Sequence, residues 1–107
     1  MSEPRSAPDG FDGRAFAREM TAAPGVYRMY AADDTLLYVG KAASLKKRIA
    51  SYFTKALPAR TAAMVAQIAR MEVTVTRTPA EALILENQLI KSLGPRYNVL
   101  LKDDKSY

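Results

Sequence analysis

Residues 25–40, GVYRMYAADDTLLYVG, decide the fold. Two runs rich in Val, Tyr and Leu flank the Asp-containing segment 31–34, the pattern of an antiparallel β-hairpin. Side chains alternate along a strand, so pairing parity decides whether Tyr27 and Tyr38 share a sheet face. A loop of two or four residues brings them together, and an odd loop separates them. Sequence leaves that parity open.

Upstream, residues 1–13 are rich in Pro, Gly, Ser and Asp and read as a mobile tail. A short helix is expected over 14–22, with Phe16 and Met20 as its apolar contact, ended by Pro24-Gly25. Downstream, Ser44 is a good N-cap for a helix in which Leu45, Ile49 and Phe53 form one stripe. Arg48 and Tyr52, four apart, lie along the edge of that stripe, where a side chain can be half buried yet reach a cleft. A second helix over 59–71 would bury Met64, Val65 and Ile68. Val73 and Val75 alternate with Thr74 and Thr76, suggesting a third strand. The last helix has the clearest limits: Thr78-Pro79-Ala80-Glu81 is a capping-box start and Gly94-Pro95 a stop. Asn98, in the following PRYN, reads as a turn residue.

The 107 residues suit one domain, and 49% hydrophobic with 25% charged residues is a globular composition. There is no His and no Cys, which excludes disulfide scaffolds, zinc ribbons, Cys/His nucleophiles and His-dependent nuclease mechanisms. No apolar run approaches a membrane span and no signal peptide is evident, so a cytoplasmic protein is expected. The net charge of +5 is unevenly distributed. Residues 35–71 hold Lys41, Lys46, Lys47, Arg48, Lys55, Arg60 and Arg70 with no acidic residue, while the flanks are acidic or balanced. Such a segment suits a polyanion, nucleic acid first; a solvated helix surface is the plainer alternative.

One acidic residue breaks the binary pattern. On the last helix Ala82, Leu83, Leu85, Leu89, Ile90 and Leu93 cover a broad arc, with Asn87, Gln88 and Lys91 opposite, and Glu86 falls inside the arc. A carboxylate there is costly unless it is paired or bound to a cation. A structural ion pair would satisfy it; so would a divalent metal facing a cleft.

Taken together, Gly25-Val26-Tyr27, Tyr38-Val39-Gly40, Lys41, Arg48 and Tyr52 in GKAASLKKRIASYF, Glu86 in EALILENQLIK, and Asn98 in PRYN resemble the GIY-YIG nucleases. YNVLLKDDKSY is similar to the N-terminal domains of the UvrC excision-repair family in particular. The likeness runs from residue 24 to 107. It implies an α+β domain over 14–107, a three-stranded antiparallel sheet surrounded by helices, belonging to a longer protein. The implied activity is Mg²⁺-dependent DNA endonuclease action (Mn²⁺ substituting) that makes the 3′ incision of nucleotide excision repair. The implied partners are damaged double-stranded DNA, UvrB through regions outside this chain, and UvrA indirectly.

On that resemblance Glu86 holds one metal, and Tyr27 is chosen as general base, its phenol assisted by positive charge from Lys41 or the metal. Tyr38 and Tyr52 position water and phosphate, Arg48 neutralises the phosphorane, and Asn98 orients the site from beneath. Lys46, Lys47, Lys55 and Arg60, with Lys41 and Arg48, are assigned to the DNA backbone. A non-catalytic DNA-binding adaptor and a stand-alone GIY-YIG nuclease are the alternatives.

Overall fold

The hairpin forms where the sequence places it. β1 (Gly25–Tyr30) pairs antiparallel with β2 (Leu36–Ala42), and β3 (Arg70–Val75) joins the other side of β1 in the order β2-β1-β3. The structure, a computed structural model, describes residues 11–54 and 57–101.

Residues 31–35 form an odd loop, with Tyr30 facing Leu36 across it. Continued unchanged, that pairing would put Tyr27 and Tyr38 on opposite faces. The register shifts between Met29 and Tyr30, so Met29 faces Tyr38 and Leu37 is the extra residue of a β-bulge. The bulge returns both tyrosines to one face.

That face packs beneath three helices, α1 (Gly13–Arg18), α2 (Leu45–Ser51) and α3 (Ala59–Ala66). Tyr27, Met29, Leu37 and Met71 meet Ala17, Leu45, Ile49, Met64 and Ile68 in the larger core. The opposite face carries α4 (Pro79–Leu93), where Val26, Val39 and Ala82 form a smaller core edged by Leu36, Leu85, Leu89 and Ile90. A last helix, α5 (Arg96–Leu101), lies along β2. No helix among the described residues is long and apolar enough to cross a membrane.

Several boundaries differ from expectation. α1 ends at Arg18, although Phe16 and Met20 both pack on the core. Its N-cap is Asp12, whose carboxylate accepts from the Ala15 N–H at 3.1 Å, and the Phe11 ring lies against Phe16 and Phe53. Packing therefore starts at Phe11, inside the stretch read as tail; residues 1–10 lie outside the described residues. α3 stops at Ala66, and Met71 belongs to β3, opposite Met29. The spacing of Met64, Ile68 and Met71 fits a helix, but pairing with β1 claims the last of them. Asn98 sits in α5 and not in a turn. On α4 the apolar arc is narrower than expected, since Leu83 and Leu93 are 43% and 51% exposed. The Thr78 hydroxyl caps the Glu81 N–H at 3.1 Å, while the Glu81 carboxylate accepts from Arg77, one residue before the usual capping-box partner.

Candidate active site

Both glycines of the paired tripeptides sit at close approaches. Gly40 is the strand partner of Tyr27, and a Cβ there would collide with the phenol ring and its hydroxyl. A Cβ at Gly25 would run into the Thr74 carbonyl oxygen and the Leu45 side chain. Gly40 thus leaves the Tyr27 phenol room to lie across β2. Its hydroxyl shares a 2.7 Å hydrogen bond with that of Tyr52, which is delivered by the end of α2. The Tyr52 ring stands edge-on to Tyr27 at 5.7 Å between centroids, and the Tyr38 ring lies 6.2 Å from Tyr27.

α2 aims its side chains by its own amphipathicity. Ser44 caps it, Leu45 and Ile49 are fully buried, and Arg48 and Tyr52 therefore emerge together on one flank. Arg48 is exposed, and it is the cation that favours ionisation of all three phenols. Burial opposes it and dominates. The Tyr27 hydroxyl, only 1% of whose residue is exposed, is pushed well above the ordinary phenol value, and Tyr38 and Tyr52 are pushed up too. Lys41 was expected beside Tyr27; its charge acts instead on Glu86.

Glu86 comes from α4 and is half-buried. Burial raises its carboxyl above the usual glutamate value, while the Lys41 ammonium and the Lys41 backbone N–H pull it back. It forms no ion pair with any described residue, so the structural pairing that would have satisfied it is not made among them. Its charge is felt by Tyr38 and Tyr52. Among the described residues there is no cluster of three potential metal ligands. The site therefore offers a metal a single carboxylate, which suits Mg²⁺ completed by waters and phosphate oxygens.

Asn98 closes the outer edge of β2. Its Oδ1 accepts from the Val39 N–H at 2.8 Å and its Nδ2 donates to the Val39 carbonyl at 2.9 Å, as a neighbouring strand would. It thereby fixes the backbone between Tyr38 and Gly40. Lys41, Ala42, Ala43 and Arg48 face Pro79, Ala80 and Leu83 across an open cleft of about 440 Å³. A second hollow continues past Ser44, Lys47 and Ser51.

The candidate residues thus separate into groups. Tyr27, Tyr38, Arg48 and Tyr52 form one cluster, with Glu86 and Lys41 beside it and Asn98 behind β2. Lys47 extends the cleft, but Lys46 leaves it, turning to the far flank of α2, where its Nζ donates to the Arg18 carbonyl at 3.0 Å. Arg60 is exposed on α3, and Lys55 lies outside the described residues. Arg70 is spent in ion pairs with Asp34, at 3.3 Å, and with Glu72. Leu83 and the α1 arginines Arg14 and Arg18 were missed. Leu83 read as core, and the arginines sit in a segment whose overall charge is acidic.

Tripeptides paired across one hairpin, with glycines where neighbouring groups come closest, make this a GIY-YIG domain. Residues 23–99 match the family model of the UvrC-like GIY-YIG domain, and the chain belongs to that family. UvrABC system protein C of Xylella fastidiosa strain M23 is 68% identical over 103 residues, covering 95% of this chain and 17% of that protein. Its counterpart in Xanthomonas oryzae pv. oryzae strain PXO99A is 68% identical over 98 residues, covering 91% and 16%. The chain thus spans about a sixth of the length of these curated relatives. The GIY-YIG N-terminal endonuclease domain of UvrC from Thermotoga maritima, solved bound to magnesium as its catalytic divalent cation, superposes with a TM-score of 0.74. It is 30% identical, and the match covers 80% of this chain and 94% of that one. An asparagine-to-alanine variant of the same domain, also with its catalytic cation, superposes with a TM-score of 0.73.

Proposed function

We propose that this chain is the Mg²⁺-dependent endonuclease domain that makes the 3′ incision during excision repair, hydrolysing a phosphodiester of damaged double-stranded DNA with one metal. The observation that carries the reading is Glu86: a half-buried carboxylate without an ion pair among the described residues, whose charge is felt by Tyr38 and Tyr52. A bound Mg²⁺ supplies charge stabilisation at the scissile phosphate and the leaving 3′ oxygen, and Mn²⁺ would substitute. Glu86 would hold it.

The remaining roles follow from where each group sits. Arg48, exposed at the cleft, stabilises charge gathering on the phosphate, a contribution worth about 3–4 kcal/mol for a preorganised donor. A general base must touch the water it deprotonates. Tyr27 is sealed from solvent and hydrogen-bonded to Tyr52, whereas Tyr38 is half-buried and feels the Glu86 charge. We therefore assign the base to Tyr38 in place of Tyr27. Tyr27 becomes the residue that holds the Tyr52 hydroxyl in position, and Tyr52 orients the water or phosphate. Because burial keeps Tyr38 protonated, its ionisation depends on the positive charge brought by Arg48 and the cation. Lys41 steadies Glu86, and Asn98 steadies the strand carrying Tyr38. Lys41, Lys47 and Arg48 contact the DNA backbone along the cleft. The relatives named as parts of the UvrABC system are about six times longer, and we assign contacts with UvrB, and indirectly UvrA, to that remainder.

The test is metal binding joined to cleavage. Mn²⁺ titration followed by electron paramagnetic resonance should detect one site in the wild type and none in Glu86→Gln. Nicking of damaged duplex should fall by ~10³-fold or more in the variant. Because burial raises the Glu86 carboxyl, metal affinity should decline on acidification while the pH is still above the ordinary glutamate range. Without metal the sign for stability is opposite, since the fold favours protonated Glu86 and loses stability as pH rises through its raised value. No Mn²⁺ site in the wild type, with no nicking, would favour the adaptor reading, and binding that survives Glu86→Gln would remove Glu86 as the ligand.

A further inference from the structure

Some cations of this domain are tied up in ion pairs and others are not. Arg28 and Arg70 are consumed in ion pairs with Glu72 and Asp34 around β3. Lys41, Arg48, Lys47, Lys46, Arg18 and Arg14 make no ion pair with any described residue. These six follow a path from the candidate active site around the solvent side of α2 and into a separate cleft between α1 and α2. Arg14, Arg18 and Lys46 line this cleft, about 290 Å³ in volume, together with Ala17, Ala50 and Phe53.

Helix geometry accounts for the path. With Leu45 and Ile49 inward, the 100° step puts Arg48 and Tyr52 on one flank, Lys47 and Ser51 on the crest, and Lys46 and Ala50 on the other flank. The α1/α2 cleft is also built to stay in place. The Arg14 Nε donates to the Phe53 carbonyl at 3.2 Å, the Lys46 Nζ to the Arg18 carbonyl at 3.0 Å, and the Lys46 backbone N–H to the Thr21 carbonyl at 3.0 Å. The acids flanking α1 form no ion pair with these cations: the Asp12 carboxylate caps α1, and neither it nor Glu19 makes an ion pair with any described residue.

We propose that the α1/α2 cleft is a second backbone-binding site for the DNA strand, separate from the site of cleavage, in which Arg14, Arg18 and Lys46 hold a phosphate and the adjoining sugar lies on Phe53 and Ala50. This rests on the nuclease reading above. A helix is roughly 10–12 Å across, so a backbone crossing α2 carries more than one phosphate between Arg48 and this cleft. Lys47 on the crest contacts the middle of that path. The cleft sets the direction in which the strand leaves the site, and contributes to affinity without touching the reacting atoms.

The test measures binding of the chain to a short DNA duplex as a function of salt, alongside single-turnover cleavage at saturating DNA. Arg18→Ala is a clean variant, because the bond to Lys46 uses the Arg18 backbone oxygen and survives. Arg14→Gln removes charge while keeping a side-chain N–H able to donate to Phe53. Each variant should lower the slope of log affinity against log salt by about 0.9 and weaken binding several-fold at ~0.1 M salt, with cleavage at saturation unchanged. Unfolding midpoints of the same preparations confirm an intact fold. Unchanged slopes in both, with a reduced slope in Lys47→Ala, would overturn the second site and leave the nuclease reading standing. Unchanged slopes in all three, together with no cleavage at saturating DNA, would overturn both.

Discussion

The sheet has two edges, and they are finished by opposite means. Along β2, the outward groups of Val39 are taken by the Asn98 side chain, and the Lys41 ammonium and backbone N–H favour the charged form of the Glu86 carboxylate. Along β3, Arg70 joins Asp34 and Glu72, stacks over the Tyr30 ring with its guanidinium 3.9 Å from the centroid, and leaves Glu72 shared with Arg28. Exposed edges invite pairing with other chains, and both arrangements blunt that tendency. The difference lies in what remains available afterwards. At β3 positive and negative charges cancel, and the surface is inert. At β2 the neighbouring groups include the Glu86 carboxylate, which has no ion pair among the described residues, and Lys41 and Arg48, which line the open cleft. Chemistry is concentrated at the edge whose protection leaves charge unspent.

Substitutions can break this contrast by graded amounts. The largest effect is expected from Tyr38→Phe, which removes the assigned base and should slow single-turnover cleavage by ~10²–10⁴-fold. Tyr27→Phe should cost less and leave the form of the pH–rate profile intact; the reverse ranking would return the base to Tyr27. Gly40→Ala drives a methyl into the Tyr27 phenol and should cost about 1–3 kcal/mol of stability, read by denaturant unfolding. Asn98→Ala strips both partners from Val39 and should cost about 1–2 kcal/mol, with activity falling further than stability explains. At the other edge, Arg70→Gln should leave the denaturant unfolding midpoint nearly unchanged, because its pairs are exposed, and leave cleavage unaltered. A marked loss of activity in Arg70→Gln would dissolve the distinction between the edges.

Legibility from sequence followed the range of the interactions involved. The hairpin strands, the α2 stripe and the limits of α4 were readable because alternation, helical spacing and caps are local signals. Glu86 was legible as a polar residue in an apolar arc. Asn98 was legible only through the family pattern, since its partner, Val39, is 59 residues away and its local context read as a turn. The same distance problem hid the membership of Met71 in β3, which depends on Met29. The separation of Lys46 from Lys47 and Arg48 is by contrast local, set by the 100° helical step, and is lost when the basic residues are counted as one segment. Charge totals misled at α1, where acidic neighbours along the chain masked two arginines brought to α2 by packing. The assignment of the base changed for a related reason: sequence gives a tyrosine's position, and burial determines whether water can reach it.

The bulge at Leu37 has a consequence for how this hairpin can vary among descendants. The pairing of Tyr30 with Leu36 and the one unpaired residue are a matched set. If Tyr30 stayed opposite Leu36 and the bulge were lost, Tyr38 would turn toward the α4 layer and Val39 toward Tyr27. What the chemistry enforces is the strand register: the bulge is required for as long as Tyr30 stays opposite Leu36, whereas the tip itself can change length without moving Tyr38.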